Sequence, residues 1–228
     1  MDTMYKQDNC LIIRSENEKM VIESWGKNTI RVRSVPMGEV ADTHYALLGK
    51  PEGFAPDITV DKQELQTPRG TMIRTTARFV NGDVSVDVSE TQNGARLIIS
   101  RKGKPILTEP EYSALHLFNR HFEPIPGGDY KLTVYFNASE EEKLFGMGQY
   151  QHEHLNLKGT VLELAQRNSQ ASVPFVLSSL GYGFFWHNPA IGRASFATNG
   201  TLWEAQSTMQ LDYLVYVGDT PAEIVQAY

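Results

Sequence analysis

Polar and apolar residues alternate along much of this chain. In Lys19-Met20-Val21-Ile22-Glu23, Thr29-Ile30-Arg31-Val32-Arg33-Ser34-Val35 and Asp83-Val84-Ser85-Val86-Asp87-Val88 they fall on opposite faces with a period of two, the pattern of half-buried strands. Helical periodicity is nearly absent. Further strands are predicted at Ala95–Arg101, Lys131–Phe136, Val173–Leu177, Gly183–His187 and Met209–Val217, punctuated by turn signals at Asn81-Gly82, Asn93-Gly94, Gly127-Gly128-Asp129 and Asn199-Gly200. Many short strands with Gly, Asn and Pro turns predict an all-β fold, a sandwich or barrel of antiparallel sheets. The segment Met37–Pro68 breaks the pattern with prolines, glycines and scattered charge, and reads as a long irregular excursion or sheet-edge loop. With no internal repeat and no low-complexity linker, one domain is expected over residues 1–218.

The exception is the C-terminal end. Thr220 can cap a helix, Pro221 suits its first position, and Glu223 can reach back to complete a capping box. Residues 219–228 therefore read as a short helix, yet an isolated helix below roughly 12–15 residues is marginal in water. It is expected to lead into something else.

The 228 residues, 41% of them hydrophobic, suffice for a substantial core. A formal charge of -6 provides no basic field for phosphate backbones, so no nucleic-acid partner is expected. No stretch approaches the ~20 apolar residues of a spanning helix, and MDTMYKQDNC has neither a basic nor an apolar leader region, which predicts a cytoplasmic protein without a membrane partner. The single cysteine, Cys10, lies in the apolar run CLIIR and reads as a buried, inert thiol.

Candidate chemistry is sparse. Gly146-Met147-Gly148-Gln149 lacks the third glycine of a dinucleotide fingerprint and the Gly-Lys-Ser/Thr of a P-loop, which leaves glycine needed for close approach or unusual φ. His152-Glu153-His154 could share a strand face, but His44, His116, His121 and His187 are too scattered to name a third ligand, so no metal or other cofactor is assigned. Glu140-Glu141-Glu142 reads as a solvated charge run, and no paired carboxylates or nucleophile elbow can be assigned. Between Leu164 and Phe175 lies a run of amides and hydroxyls, Gln166-Arg167-Asn168-Ser169-Gln170-Ala171-Ser172. It is either an ordinary polar turn or a set of directional partners suited to sugar hydroxyls.

The second half of the chain carries a resemblance. Leu144-Phe145-Gly146-Met147-Gly148-Gln149, Leu157-Lys158-Gly159, Leu164-Ala165-Gln166-Arg167-Asn168, Val173-Pro174-Phe175, Gly181-Tyr182-Gly183-Phe184-Phe185-Trp186-His187-Asn188, Leu211-Asp212-Tyr213 and Gly218–Tyr228 resemble, in order and spacing, the N-terminal domain of glycoside hydrolase family 31, the α-glucosidase and α-xylosidase family. Trp25-Gly26 and the strand after it look like the family's opening hairpin. The resemblance implies an antiparallel β-sandwich of the galactose-mutarotase-like type, followed by a (β/α)8 barrel that holds an aspartate nucleophile and an aspartate acid/base. The chain reads as cut at that barrel. In such relatives the polar loop reaches over the barrel mouth, which implies substrate-binding roles for Gln166, Arg167 and Asn168. Relatives carry Trp-Asn-Arg-Asp or similar there, and this chain carries Gln-Arg-Asn.

The expected function is thus a non-catalytic domain of a retaining α-glycosidase, its partners being its own C-terminal barrel and an α-linked glucoside or xyloside. The alternative is a free-standing carbohydrate-binding module with an exposed aromatic platform, for which Trp25, Trp186 and Trp203 are candidates, Trp186 being better placed in the core. A mutarotase acting alone would need a histidine acid and a carboxylate base converging in an open cleft.

Overall fold

The structure, a computed structural model, describes residues 3–15, 17–67, 70–91, 94–111 and 119–228. Met1, Pro68, Asn93 and His116, which entered the reading above, lie outside the described residues. The strands are β1 (Met4–Gln7), β2 (Cys10–Arg14), β3 (Lys19–Ser24), β4 (Thr29–Val35), β5 (Asp57–Thr67), β6 (Gly70–Asn81), β7 (Val84–Thr91), β8 (Gly94–Arg101) and β9 (Lys104–Thr108). They continue with β10 (Arg120–Pro124), β11 (Tyr130–Asn137), β12 (Leu144–Gln149), β13 (Val161–Leu164), β14 (Ala171–Ser178), β15 (Tyr182–Trp186), β16 (Gly192–Phe196), β17 (Gly200–Thr208) and β18 (Leu211–Val217), and the helix α1 (Pro221–Ala227) closes the chain.

These strands form three antiparallel sheets. The largest has the order β1-β2-β3-β4-β18-β15-β14-β12, and two five-stranded sheets run β10-β11-β17-β16-β13 and β5-β6-β7-β8-β9. One continuous apolar core joins all three, with Ile30 and Val32 from the large sheet, Val86 and Leu97 from the second small sheet, and Val134 and Trp203 from the first, all essentially inaccessible. The eight-stranded sheet is therefore one layer of a sandwich and the two smaller sheets are the other.

Several sequence expectations need correction, among them the burial of Cys10, which is half-buried. The irregular excursion ends at Pro56: residues 57–67 are the strand β5, paired along its length with β6. Only its Asp57–Asn81 end faces the core, through Ile58, Val60, Ala77 and Phe79; towards its turn the ribbon is largely exposed, and there the partner strand makes it a strand. Glu142 is not solvated but buried, accepting hydrogen bonds from Ser178 Oγ and Tyr182 OH (2.5 and 2.7 Å) and facing Lys158 Nζ at 3.4 Å. Only Glu140 and Glu141 of that run are exposed. Lastly, β4 is buried on both faces rather than one. Its polar residues Arg31 and Arg33 lie beneath a strap, residues 36–56, that crosses the outer face of the large sheet.

That outer face carries its own apolar cluster of Trp25, Phe175, Phe185, Leu214, Tyr216 and Ile224. Ile224 is the buried residue of α1, so packing holds the short helix in place where its length alone could not. Thr220 Oγ accepts from Glu223 N–H (3.3 Å) as a cap should, while the Glu223 carboxylate accepts from Asp219 N–H (2.8 Å), one residue earlier than a capping box requires.

Candidate functional site

A cleft of about 640 Å³ opens where four segments meet. The connection between β13 and β14, strands of different sheets, folds into a short hairpin turn bridged by Arg167 and Gln170 and, with the adjoining strand ends, contributes Leu164, Gln166, Val173 and Pro174; the end of β15 contributes Phe185 and His187, followed by the turn Asn188–Ile191; the strap contributes Tyr45 and Ala46; and Tyr228 closes one side. Most of its wall is apolar, and Val173, Ile191, Tyr45 and Tyr228 are exposed there. Tyr228 stacks on Phe175 at 4.1 Å between ring centroids and meets Phe185 edge-on at 5.2 Å. Burial pushes its phenol above the ordinary tyrosine value. Polar lining is limited to neutral groups and His187, with no carboxylate among the lining residues.

The three sequence-predicted residues fall in different places. Gln166 lines the cleft, but both ends of its amide are engaged: Nε2–H donates to Ser172 O (2.8 Å) and Oε1 accepts from Ser172 N–H (3.0 Å). It clamps the hairpin shut. Arg167 is an exposed residue paired with Glu163, and its carbonyl accepts from Gln170 N–H (3.0 Å) to form a tight turn. Asn168 and Ser169 are the two exposed residues at the tip, Ser169 with φ of +67°, so the side chain of Asn168 is presented outward. Arg167 and Asn168 do not line the cleft.

The glycines of β12 explain the hairpin's other side. Gly146, Met147 and Gly148 all have positive φ (105°, 69° and 93°), and the β12–β14 register shifts between Gly146 and Gly148. A side chain on Gly148 would stand 2.1 Å from Ala171 O, so close approach is what this position demands.

Beneath the strap lies a charged network that the sequence did not single out. Arg31, fully buried, donates from Nε and Nη2 to the two carboxylate oxygens of Asp212 (2.9 and 2.6 Å), lies over the Trp25 ring at 4.7 Å, and reaches Asp42 and Thr43 O on the strap. Burial works against its charge, but the Asp212 hydrogen bond and the surrounding carboxylates outweigh it and hold the guanidinium above its ordinary value. His187 Nδ1 lies 2.9 Å from the same Asp212. The signal was present only as register, since Trp186 pairs with Tyr213 and so places His187 beside Asp212. This histidine–carboxylate pair is nearly inaccessible, and Nε2 is occupied by Ala46 N–H (3.2 Å), unlike the open acid–base pair a mutarotase needs. His152 and His154 lie in an exposed turn, their rings 5.8 Å apart. Trp25, Trp186 and Trp203 are all buried, so none forms an exposed platform.

Residues 19–193 match the family described as the glycosyl hydrolase 31 N-terminal galactose mutarotase-like domain. The chain belongs to this family. As a family 31 N-terminal domain it is 42% identical, over its whole length, to an uncharacterized family 31 glucosidase ORF2 of Pseudescherichia vulneris, of which it covers 44%. It is 29% identical to α-xylosidase A of Aspergillus niger, covering 87% of this chain and 28% of that one. Among solved structures, a family 31 α-xylosidase from a soil metagenome, complexed with xylose, superposes with a TM-score of 0.82 and 38% identity over the whole of this chain and 34% of that one. The chain thus spans less than half the length of these relatives. No helix among the described residues is long and apolar enough to cross a membrane.

Proposed function

We propose that residues 1–218 form the non-catalytic sandwich domain of a retaining α-glycosidase, and that residues 219–228 lead into a (β/α)8 barrel that acts on an α-linked glucoside or xyloside. The observation that carries this reading is the apolar cleft closed by Tyr228, the residue that follows α1, and flanked by the hairpin that displays Asn168. A barrel following α1 would begin at this cleft, cover its exposed rings and aliphatic side chains, and bring its mouth towards the hairpin tip. Double displacement by two closely spaced carboxylates would then be the barrel's task. The sandwich would supply packing surface and the tip.

Within that reading the three hairpin residues have separate roles. Asn168 is the contact to the sugar, Gln166 holds the hairpin in shape, and Arg167 braces it through Glu163. In the full-length enzyme, Asn168→Ala should lower kcat/KM on an aryl α-xyloside or α-glucoside by roughly tenfold or more, because a lost hydrogen bond leaves a desolvated partner behind. Its melting temperature should not move, since an exposed tip adds little to the core. Unchanged kcat/KM in a folded Asn168→Ala enzyme would remove the tip from the substrate pocket.

A further inference from the structure

Two hydrogen bonds define the protonation of His187. Its Nδ1 faces Asp212 Oδ2 and carries a proton; its Nε2 accepts from Ala46 N–H and carries none. Among the described residues, this Ala46 contact is the only hydrogen bond that ties residues 44–49 of the strap to the sheet. On either side the strap is held more firmly. Before it, Arg33 donates to Ala41 O, Arg31 to Thr43 O, both guanidiniums meet Asp42, and the Gln210 amide pairs with both N–H and C=O of Ala41 (2.8 and 3.1 Å). After it, Lys50 pairs with Glu23 at 2.6 Å and Ser24 Oγ–H donates to Phe54 O at 2.6 Å. The strap also separates two clefts. One is described above; the other, about 420 Å³, is walled by Ala41, Thr43 and Tyr45 and floored by Asp212, and His187 lines both.

We propose that the strap is an acid-operated latch: protonation of His187 releases the strap at Tyr45 and Ala46 and joins the two clefts, while the anchors at 41–43 and 50–54, and Leu47 on the outer-face apolar cluster, stay in place. A proton added to Nε2 turns an acceptor into a donor that faces the Ala46 N–H, and two donors repel. The ring itself stays where it is. Its Nδ1–H bond to Asp212 is retained, and the new positive charge lies beside that carboxylate. The groups that face the imidazole are Asp212 on β18 and, through it, Arg31 on β4; Phe185 on β15, with ring centroids 5.5 Å apart; and, from the strap, the Ala46 amide and the Tyr45 ring at 5.6 Å. His44 does not face the imidazole; its Nε2 lies 3.3 Å from Asp42 within the strap itself. Burial opposes the charge on Asp42, but Arg33, His44 and Arg31 outweigh it and hold its carboxyl below the usual range. The Asp42 anchor is therefore complete above the unfolded carboxylate value and is lost only as the pH falls through the lower folded value.

The test is amide hydrogen exchange of the 228-residue chain between about pH 7.5 and pH 5, the range across which imidazoles titrate, with the His187 ring followed by NMR. Ala41 N–H, held by Gln210, is the internal reference. As the ring protonates, protection at Ala46 should fall about tenfold, the loss of one hydrogen bond, while Ala41 keeps its own. In His187→Gln, whose side chain gains no proton in this range, Ala46 protection should not change with pH. The proposal is overturned by equal losses at both amides, by unchanged Ala46 protection once the ring is protonated, by a ring still neutral at the acid end, or by a pH dependence that survives in His187→Gln.

Discussion

Gly148 in β12 and Ser169 at the tip of the turn between β13 and β14 both adopt left-handed backbone, and opposite substitutions should separate strain from need. At Gly148 an added Cβ would lie 2.1 Å from Ala171 O and 2.8 Å from Val173 N, both backbone atoms that cannot move without parting β12 from β14. Gly148→Ala should destabilise the fold by more than about 2 kcal/mol, the clash adding to the left-handed strain. Ser169 has φ of +67° at the second central position of its turn, where glycine is favoured. Ser169→Gly should raise stability by up to about 1 kcal/mol. Denaturant melts of the two variants read both effects. Equal stability of Gly148→Ala and the parent would show that the bulge can relax. The requirement at Gly148 was legible from Gly146-Met147-Gly148 as a need for unusual φ; the strain at Ser169 was not, because nothing in a polar run says which residue takes the left-handed position.

Among the elements, α1 was the most legible and the least self-sufficient. Its cap and its proline mark its start in sequence, while its persistence rests on packing: Ile224, its one buried side chain, seated between β15 and β18, and Tyr228, just past its end, stacked on Phe175. Large-to-small substitution of a buried isoleucine costs about 2–5 kcal/mol. That exceeds what a two-turn helix can supply by itself. Ile224→Ala should therefore release Pro221–Ala227, seen as loss of amide protection confined to those residues, with β15 and β18 still protected. A matched loss in the strands would instead make α1 an integral part of the sandwich. The β5–β6 ribbon is the reverse case, long and well paired but weakly marked: Ile58, Val60, Ala77 and Phe79 face the core near its Asp57–Asn81 end, while the stretch towards its turn is largely exposed and carries no alternation to read.

At the scale of the whole molecule, the sandwich has its own continuous core and the described residues bring no carboxylate into the main cleft. The 228-residue chain should fold by itself and leave aryl α-glucosides and α-xylosides intact. Turnover that persists through repurification would refute this. The alternation in β3, β4 and β7, with the turn-bounded strands predicted for β8 and β18, was enough to point to an all-β antiparallel fold, because period two has one meaning when helical periodicity is missing. The ordered motifs from Leu144 to Tyr228 were enough to establish the family. What only the tertiary structure decided is the fate of the polar face. Alternation says that Arg31 and Arg33 point away from the core, and it leaves water as their default partner. Instead the large sheet brings Asp212 alongside, and the strap delivers Asp42, Thr43 and Ala46 from above, so charges that read as solvated become buried and paired. Local pattern reports which side of a strand a residue faces; what covers that side is set by segments distant in sequence.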